Sequence, residues 1–179
     1  MRNRFNEPAP SEHQKSSKFD MCFTALSVVD GQIRIAKPQL LVNGEAIREK
    51  LPVDIRQVVN SLKGKGQFFI FTCSCGDAYC GGVEEGVLVT QYPDSFVWEY
   101  RLPQSTDGFG FDGQSAREEW LAASTHYRHV FDRQQVLEAL HACLSEAELT
   151  HADSAQYPPN GFERRHITQL LADVAELMK

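Results

Sequence analysis

The residues of this chain that are best suited to chemistry are the cysteines of "CSCGDAYCGG", residues 73–82. Cys73, Cys75 and Cys80 are spaced C-x-C-x4-C, and Gly76 follows the second of them. A glycine permits the sharp turn that aims the two thiolates of a C-x-C pair at one ion. Cysteine is the commonest ligand of structural zinc. One interpretation of residues 73–80, the cysteine segment, is therefore a zinc site.

Zinc takes four ligands in a structural site, and the cysteine segment supplies three. Candidates for the fourth ligand are His126, His129, Asp77 and Glu84, and the spacing does not choose among them. Two other interpretations stay open. The segment could serve redox or nucleophilic chemistry, or it could be a glycine-rich turn whose cysteines behave as small apolar residues.

A second candidate site is "STDGFGFDGQ", in which Phe109 and Phe111 stand between Asp107 and Asp112. The glycines suggest a phosphate loop only superficially, because no lysine follows and the two aspartates would repel phosphate. Two exposed phenylalanines with an acidic rim are typical of a contact surface for another protein. We call residues 107–113 the aromatic loop. The alternative is that both rings fold back onto the core.

The remaining polar candidates have weaker patterns. His126 and His129 would share one face of a helix but would lie on opposite faces of a strand. Glu84 and Glu85 are adjacent, so on a strand they would diverge, whereas a pair of catalytic carboxylates must converge. We therefore predict no catalytic residue.

Composition restricts the class of partner. The net charge of −6 argues against a nucleic-acid binder, which needs a basic surface, and suits a basic protein partner. No apolar run reaches the roughly 20 residues of a membrane helix, and the first residues lack the apolar core of a signal peptide. Five cysteines without an export signal indicate a reducing compartment, so we expect a cytoplasmic protein.

The elements that would position these sites begin after a polar stretch. Residues 1–18 carry two prolines and few apolar residues, which predicts a flexible arm, and residues 19–179 form one predicted domain. The dipeptides Asp30-Gly31 and Asn43-Gly44 predict hairpin turns. The spacing of Ile55, Val58, Val59 and Leu62 predicts a helix that ends at Gly64.

The apolar run "QFFIFTC" predicts a central covered strand that leads into the cysteine segment. Two more strands, "GVLVTQY" and "SFVWEYRL", follow, and "THYRHVF" is compatible with a short strand. Asp132 and Gln135 predict the capping box of a helix, and a last helix is predicted at about 161–178. Strands followed by helices indicate an α+β fold, with a mostly antiparallel sheet in the N-terminal half packed by C-terminal helices.

The chain also resembles a loose set of small uncharacterised bacterial proteins. The resemblance rests on "FTCSCGDAYCGG", on "VWEY" downstream and on "VFDRQQVLEAL", which together span about residues 66–145. In pattern form these are a C-x-C-G-x3-C segment, a Trp-bearing strand and an F-D-x-x-Q helix start. The resemblance transfers no activity. Some small acidic proteins of this kind are similar to immunity proteins that neutralise toxins, which is an analogy of fold and charge.

Three classes of function follow from the sequence. The first is a non-enzymatic protein-binding module, with immunity-type inhibition as one form of it. The second is a metal-dependent enzyme centred on the cysteine segment, and the third is a structural or assembly subunit. The first agrees best with the acidic charge and the aromatic loop.

Overall fold

The computed structural model describes residues 16–23, 27–29, 32–34, 38–47, 53–72, 78, 82–103, 114–153 and 164–179. The predicted α+β fold is confirmed: the sheets are antiparallel, and the C-terminal helices pack on them. The prediction of a flexible arm falls almost wholly on residues 1–15, which lie outside the described part of the chain.

The first sheet places three strands in the order β1-β4-β5, with antiparallel pairing throughout. Its strands are β1 (Phe19–Phe23), β4 (Pro38–Val42) and β5 (Glu45–Ala46). Asn43 and Gly44 connect β4 to β5 with φ of 57° and 84°, the positive values of a type I′ turn. A separate hairpin pairs β2 (Ser27–Val29) with β3 (Gln32–Arg34) across residues 30–31. The predicted Asn43-Gly44 turn is therefore confirmed, and β2 and β3 pair as a hairpin requires, whereas Asp30 and Gly31 lie outside the described residues.

The second sheet has the strand order β6-β7-β8-β9. Its strands are β6 (Gly66–Phe68), β7 (Val87–Gln91), β8 (Ser95–Pro103) and β9 (Ser124–Asp132). The prediction of a central strand over "QFFIFTC" is wrong, because β6 ends at Phe68 and lies at the edge of the four described strands. Ile70 and Phe71 are buried instead through pairing with Asp54 and Val53.

Four helices complete the described part of the chain. They are α1 (Ile55–Lys63), α2 (Gln114–Ala123), α3 (Arg133–Asp153) and α4 (Arg164–Leu177). All four apolar residues of the predicted face of α1 are buried. The amide of Gln135 donates to Asp132 at 2.8 Å, so Asp132 caps α3 as predicted. The other half of the predicted capping box is not formed, because the Gln135 side chain accepts from the amide of Phe19. None of the helices in the described ranges has the length and apolar content needed to span a membrane.

Aromatic side chains join the two sheets. Phe19 of β1 makes edge-to-face contacts with Trp98 and Phe131, with ring centroids 6.0 Å and 5.6 Å apart. Phe96 packs against the same two rings. Such contacts stabilise by about 0.5–1.5 kcal/mol each beyond the buried area. The aromatic face predicted for β8 therefore fixes the relative position of the sheets.

Candidate functional site

The cysteine segment is attached to the core at its first end. Phe71 and Thr72, which precede Cys73, are both buried. The Phe71 ring lies 5.2 Å from the ring of Tyr100, on the second half of β8. Cys73, Cys75 and Cys80 themselves lie outside the described residues, so the structure reports where the segment begins and not where its sulfur atoms lie.

A hydrogen bond connects Ala78, near the other end of the cysteine segment, to Val83. The amide of Val83 donates to the carbonyl of Ala78 at 3.0 Å, and both side chains are buried. Gly82 adopts φ of +71°, a left-handed conformation that favours glycine. A β-carbon at Gly82 would lie 3.7 Å from Cγ of Pro103, so Gly82 lies beside the last residue of β8.

The aromatic loop is attached at the same place. It follows β8, whose last residue Pro103 pairs with Ser124, and it precedes α2. Trp120 of α2 is fully buried, and its Nε1 donates to the carbonyl of Gly82 at 2.8 Å. Phe109, Phe111, Asp107 and Asp112 lie outside the described residues, and neither a contact role nor burial of the rings is tested for them.

Both candidate segments therefore begin or end at one region, which we call the Gly82–Pro103 corner. It consists of Gly82, Pro103, Trp120 and Ser124. Sequence reasoning missed this corner, because Gly82 and Trp120 are 38 residues apart. The available signal was Trp120, the only aromatic residue of α2, since a large ring of this kind is usually buried.

The two candidate histidines lie on opposite faces of β9, as expected for a strand. His126 is exposed and pairs with Arg101, and it lies two residues from Ser124 of the corner. His129 lies on the aromatic face, opposite Trp98. The two histidines therefore do not converge on one site.

Both ring nitrogens of His129 have partners. Nε2 lies 3.1 Å from the hydroxyl of Tyr100, and Nδ1 lies 3.4 Å from Oγ of Ser17. Burial lowers the pKa of His129 below its usual value, so the ring favours the neutral form. Burial and then the neighbouring Tyr127 raise the pKa of Tyr100, which keeps its phenol protonated. Nothing in the local sequence around Ser17 indicates this contact.

Acidic residues lie close in sequence to Gly82 and Trp120 of the Gly82–Pro103 corner. Glu84 and Glu85 are partly exposed and lie in the turn before β7, not on a strand as assumed from the sequence. Glu118 and Glu119 are exposed on α2. Among the described residues, which do not include Cys73, Cys75 and Cys80, no three His, Cys, Asp or Glu side chains come together as a metal site.

No protein-family model, curated protein or solved structure matches the chain. The resemblance to small uncharacterised bacterial proteins therefore remains a prediction from the sequence.

Proposed function

We propose that the protein acts by binding another protein, and that the contact surface lies at the Gly82–Pro103 corner. The observation that carries the proposal is the shared attachment of the cysteine segment and the aromatic loop. The bond from Trp120 to Gly82 and the packing of Gly82 on Pro103 connect the attachment points. Loops held on a rigid sheet are the usual place for binding residues.

Charge supports a basic partner. The chain carries a net charge of −6, and Glu118 and Glu119 are exposed on α2, the helix that follows the aromatic loop in the sequence. Complementary charge speeds association and is weakened by salt. Phe109 and Phe111 would supply the apolar anchors between Asp107 and Asp112. Immunity-type inhibition of a toxin in the bacterial cytoplasm is the specific form of this function that the resemblance favours.

Site-specific photo-crosslinking tests the proposal. A photoreactive amino acid replaces Glu118, which is exposed on α2 beside the corner, and the protein is irradiated in an extract of its native host. We expect one predominant crosslinked partner, in a yield that falls as salt is raised. Phe109→Ala with Phe111→Ala should weaken the complex at least about tenfold if the rings are anchors.

The matched control places the same photoreactive group at Glu138, which is exposed on α3. Helix α3 starts at the other end of the β8–β9 pair, because Asp132 is paired with Ser95 there. Equal crosslinking from both positions would place the contact elsewhere. No crosslink from position 118 under low salt would refute binding at this corner.

A second candidate function, a metal-dependent enzyme, is favoured by one observation. Of the two candidate histidines, only His126 is exposed and near the corner where the cysteine segment is attached, since His129 is occupied by Ser17 and Tyr100. Cys73, Cys75, Cys80 and His126 together would form a closed structural zinc site, whereas a catalytic site would use three of these ligands and leave the fourth position to water.

Elemental analysis tests whether the protein holds the zinc that this candidate requires, and turnover that depends on this zinc would distinguish the candidate from the first. A zinc site predicts about one equivalent of zinc in the purified protein, lost on Cys75→Ser together with part of the thermal stability, because metal binding is coupled to folding. His126→Ala should lower zinc content, while His141→Ala, a change at an exposed histidine on α3, should not. Zinc-free protein with an unchanged melting curve would make the segment a turn.

A further inference from the structure

Residues 16–18 cross the outer edge of β9 just before they enter β1. The amide of Ser17 donates to the carbonyl of Val130 at 2.6 Å, and the Ser17 hydroxyl lies 3.4 Å from Nδ1 of His129. The amide of Lys18 donates to the side chain of Asn43 at 2.8 Å. This short segment is thus fixed on one side by β9 and on the other by the β4–β5 turn.

His129 is enclosed by aromatic rings on its own face of the sheet. Tyr100, Tyr127 and Phe131 lie with ring centroids 5.7 Å, 6.2 Å and 5.7 Å from the imidazole. The Tyr100 hydroxyl occupies Nε2, and Ser17 occupies Nδ1, the remaining polar position of the ring. Protonation puts a hydrogen on both ring nitrogens, so the Ser17 and Tyr100 hydroxyls must both accept, and neither supplies a negative charge that would offset the hydration lost by the part-buried imidazolium.

We propose that His129 is an acid-sensitive latch: the neutral ring holds residues 16–18 on β9, and protonation of the ring releases them. Release breaks the Ser17–Val130 hydrogen bond and the contact between the Ser17 hydroxyl and Nδ1 of His129. It also opens Nδ1 to water, which stabilises the imidazolium. The lowered pKa of His129, caused by burial, agrees with this direction.

Among the described residues, the charged side chains on the elements packed against His129 do not face its imidazole ring. They therefore do not take the place of water in stabilising the charged ring. The titratable groups that face His129 are the phenols of Tyr100 on β8 and Tyr127 on β9. Glu99 and Arg128 pair with each other on the opposite face of the sheet, where Arg101 and His126 also lie.

The charged side chains at the start of β1 and on α3 are also either exposed or bonded to groups other than His129. Lys18 and Asp20 are exposed, and the Asp20 carboxylate accepts from the amide of Met21. Arg133, the first residue of α3, donates to Gln91 and to the carbonyl of Leu62. Burial is accordingly the cause of the lowered His129 pKa.

The sign of the pH dependence follows from linkage. A histidine whose pKa is lower in the latched state contributes stability that is complete above its ordinary pKa of about 6.5 and is lost as the pH falls below that value. The fraction of molecules with residues 16–18 released therefore rises on acidification. Each unit of difference between the latched and released pKa changes the latching equilibrium about tenfold.

Hydrogen exchange of the Ser17 amide, measured by NMR and corrected for the intrinsic pH dependence of exchange, tests the latch. Between pH 7.5 and 5.0 we expect its protection to fall several-fold or more in the wild-type protein. His129→Gln, which does not titrate, should make protection independent of pH. His141→Gln, a change at an exposed histidine on α3, should behave as the wild type does.

Constant protection in the wild-type protein, or an undiminished acid response in His129→Gln, would overturn the proposal. If His129→Gln does not fold, the wild-type protein alone decides. The midpoint of the loss of Ser17 protection must then coincide with the midpoint of the His129 ring-proton titration. Two separate midpoints would show that another group controls the segment.

Discussion

At the scale of single residues, the two tryptophans differ in whether their buried indole N–H group has a hydrogen-bond partner. Both indole rings are fully buried. Trp120 donates to the Gly82 carbonyl at 2.8 Å, whereas Nε1 of Trp98 has no hydrogen-bond partner in the described part of the chain. A buried donor without an acceptor costs about 1–3 kcal/mol. Trp98 is retained in spite of this cost because its ring contacts Phe19, Phe96 and Phe131.

A comparison of Trp98→Phe with Trp120→Phe separates the contribution of the indole hydrogen bond to stability from that of the ring. Both substitutions leave a cavity of similar size, but only Trp120→Phe leaves a carbonyl without its donor, and only Trp98→Phe removes an unpaired donor. We expect Trp120→Phe to lower the free energy of unfolding by about 1–3 kcal/mol more than Trp98→Phe does. Urea unfolding followed by circular dichroism measures both values, and equal losses would contradict the assignment.

At the scale of elements, the carbonyl groups at the C-terminal end of α1 accept hydrogen bonds from side chains of a strand and of another helix. Gln91 of β7 donates from Nε2 to the carbonyls of Ser61 at 2.6 Å and Gly64 at 3.3 Å. Arg133 of α3 donates to the Leu62 carbonyl and to Oε1 of Gln91, each at 2.8 Å. The last carbonyls of a helix have no partner within the helix, so this cluster both caps α1 and holds it against the second sheet.

Arg133→Met tests this cluster, since methionine retains most of the apolar stem but none of the donors. We expect a loss of about 1–3 kcal/mol in the free energy of unfolding, because the Leu62 carbonyl and the Gln91 side chain lose hydrogen bonds to a charged group. Arg56→Met is the matched control, because the Arg56 side chain is 59% exposed. A similar change in both variants would show that the cluster contributes nothing specific.

At the scale of the whole molecule, α4 connects parts of the chain that are far apart in sequence. Its buried residues Ile167, Leu170 and Val174 pack against α1 and α3. At the edge of this contact Asp173 accepts hydrogen bonds from Lys63 of α1 and from Gln169. The bond from Lys63, and then that from Gln169, lowers the pKa of Asp173.

This ion pair predicts a specific acid dependence. A carboxyl whose pKa is lowered by folding contributes stability that is present above its ordinary value of 3.8 and is lost as the pH falls through the lowered value. Asp173→Asn should therefore destabilise the protein at neutral pH by no more than about 1 kcal/mol, as is usual for an ion pair near solvent. The difference from the wild type should disappear in strong acid.

Thermal unfolding from pH 2.5 to 7 measures this dependence. Glu176→Gln is the control, because the Glu176–Lys179 pair is more than two-thirds exposed on both sides (71% and 73%) and lies within one turn of the chain. A wild-type advantage over Asp173→Asn that persists at pH 2.5 would show that the carboxylate charge is not the cause.

Local patterns in the sequence determined much of this protein. The Asn43-Gly44 turn, the buried face of α1, the Asp132 cap and the aromatic face of β8 were all predictable. Each depends on backbone conformation or on side-chain periodicity within a few residues, which composition and spacing encode directly. The opposite placement of His126 and His129 follows in the same way from the alternation of a strand.

Only the tertiary structure decided the rest. The run "QFFIFTC" is apolar enough for a central strand, yet it leaves the sheet after Phe68, because Ile70 and Phe71 pair with residues just before α1. The Ser17–His129 contact spans 112 residues and the Trp120–Gly82 bond spans 38. Contacts at such separations depend on which elements pack together, and the local periodicity of the sequence does not specify that packing. The latch and the corner therefore became visible only in the fold.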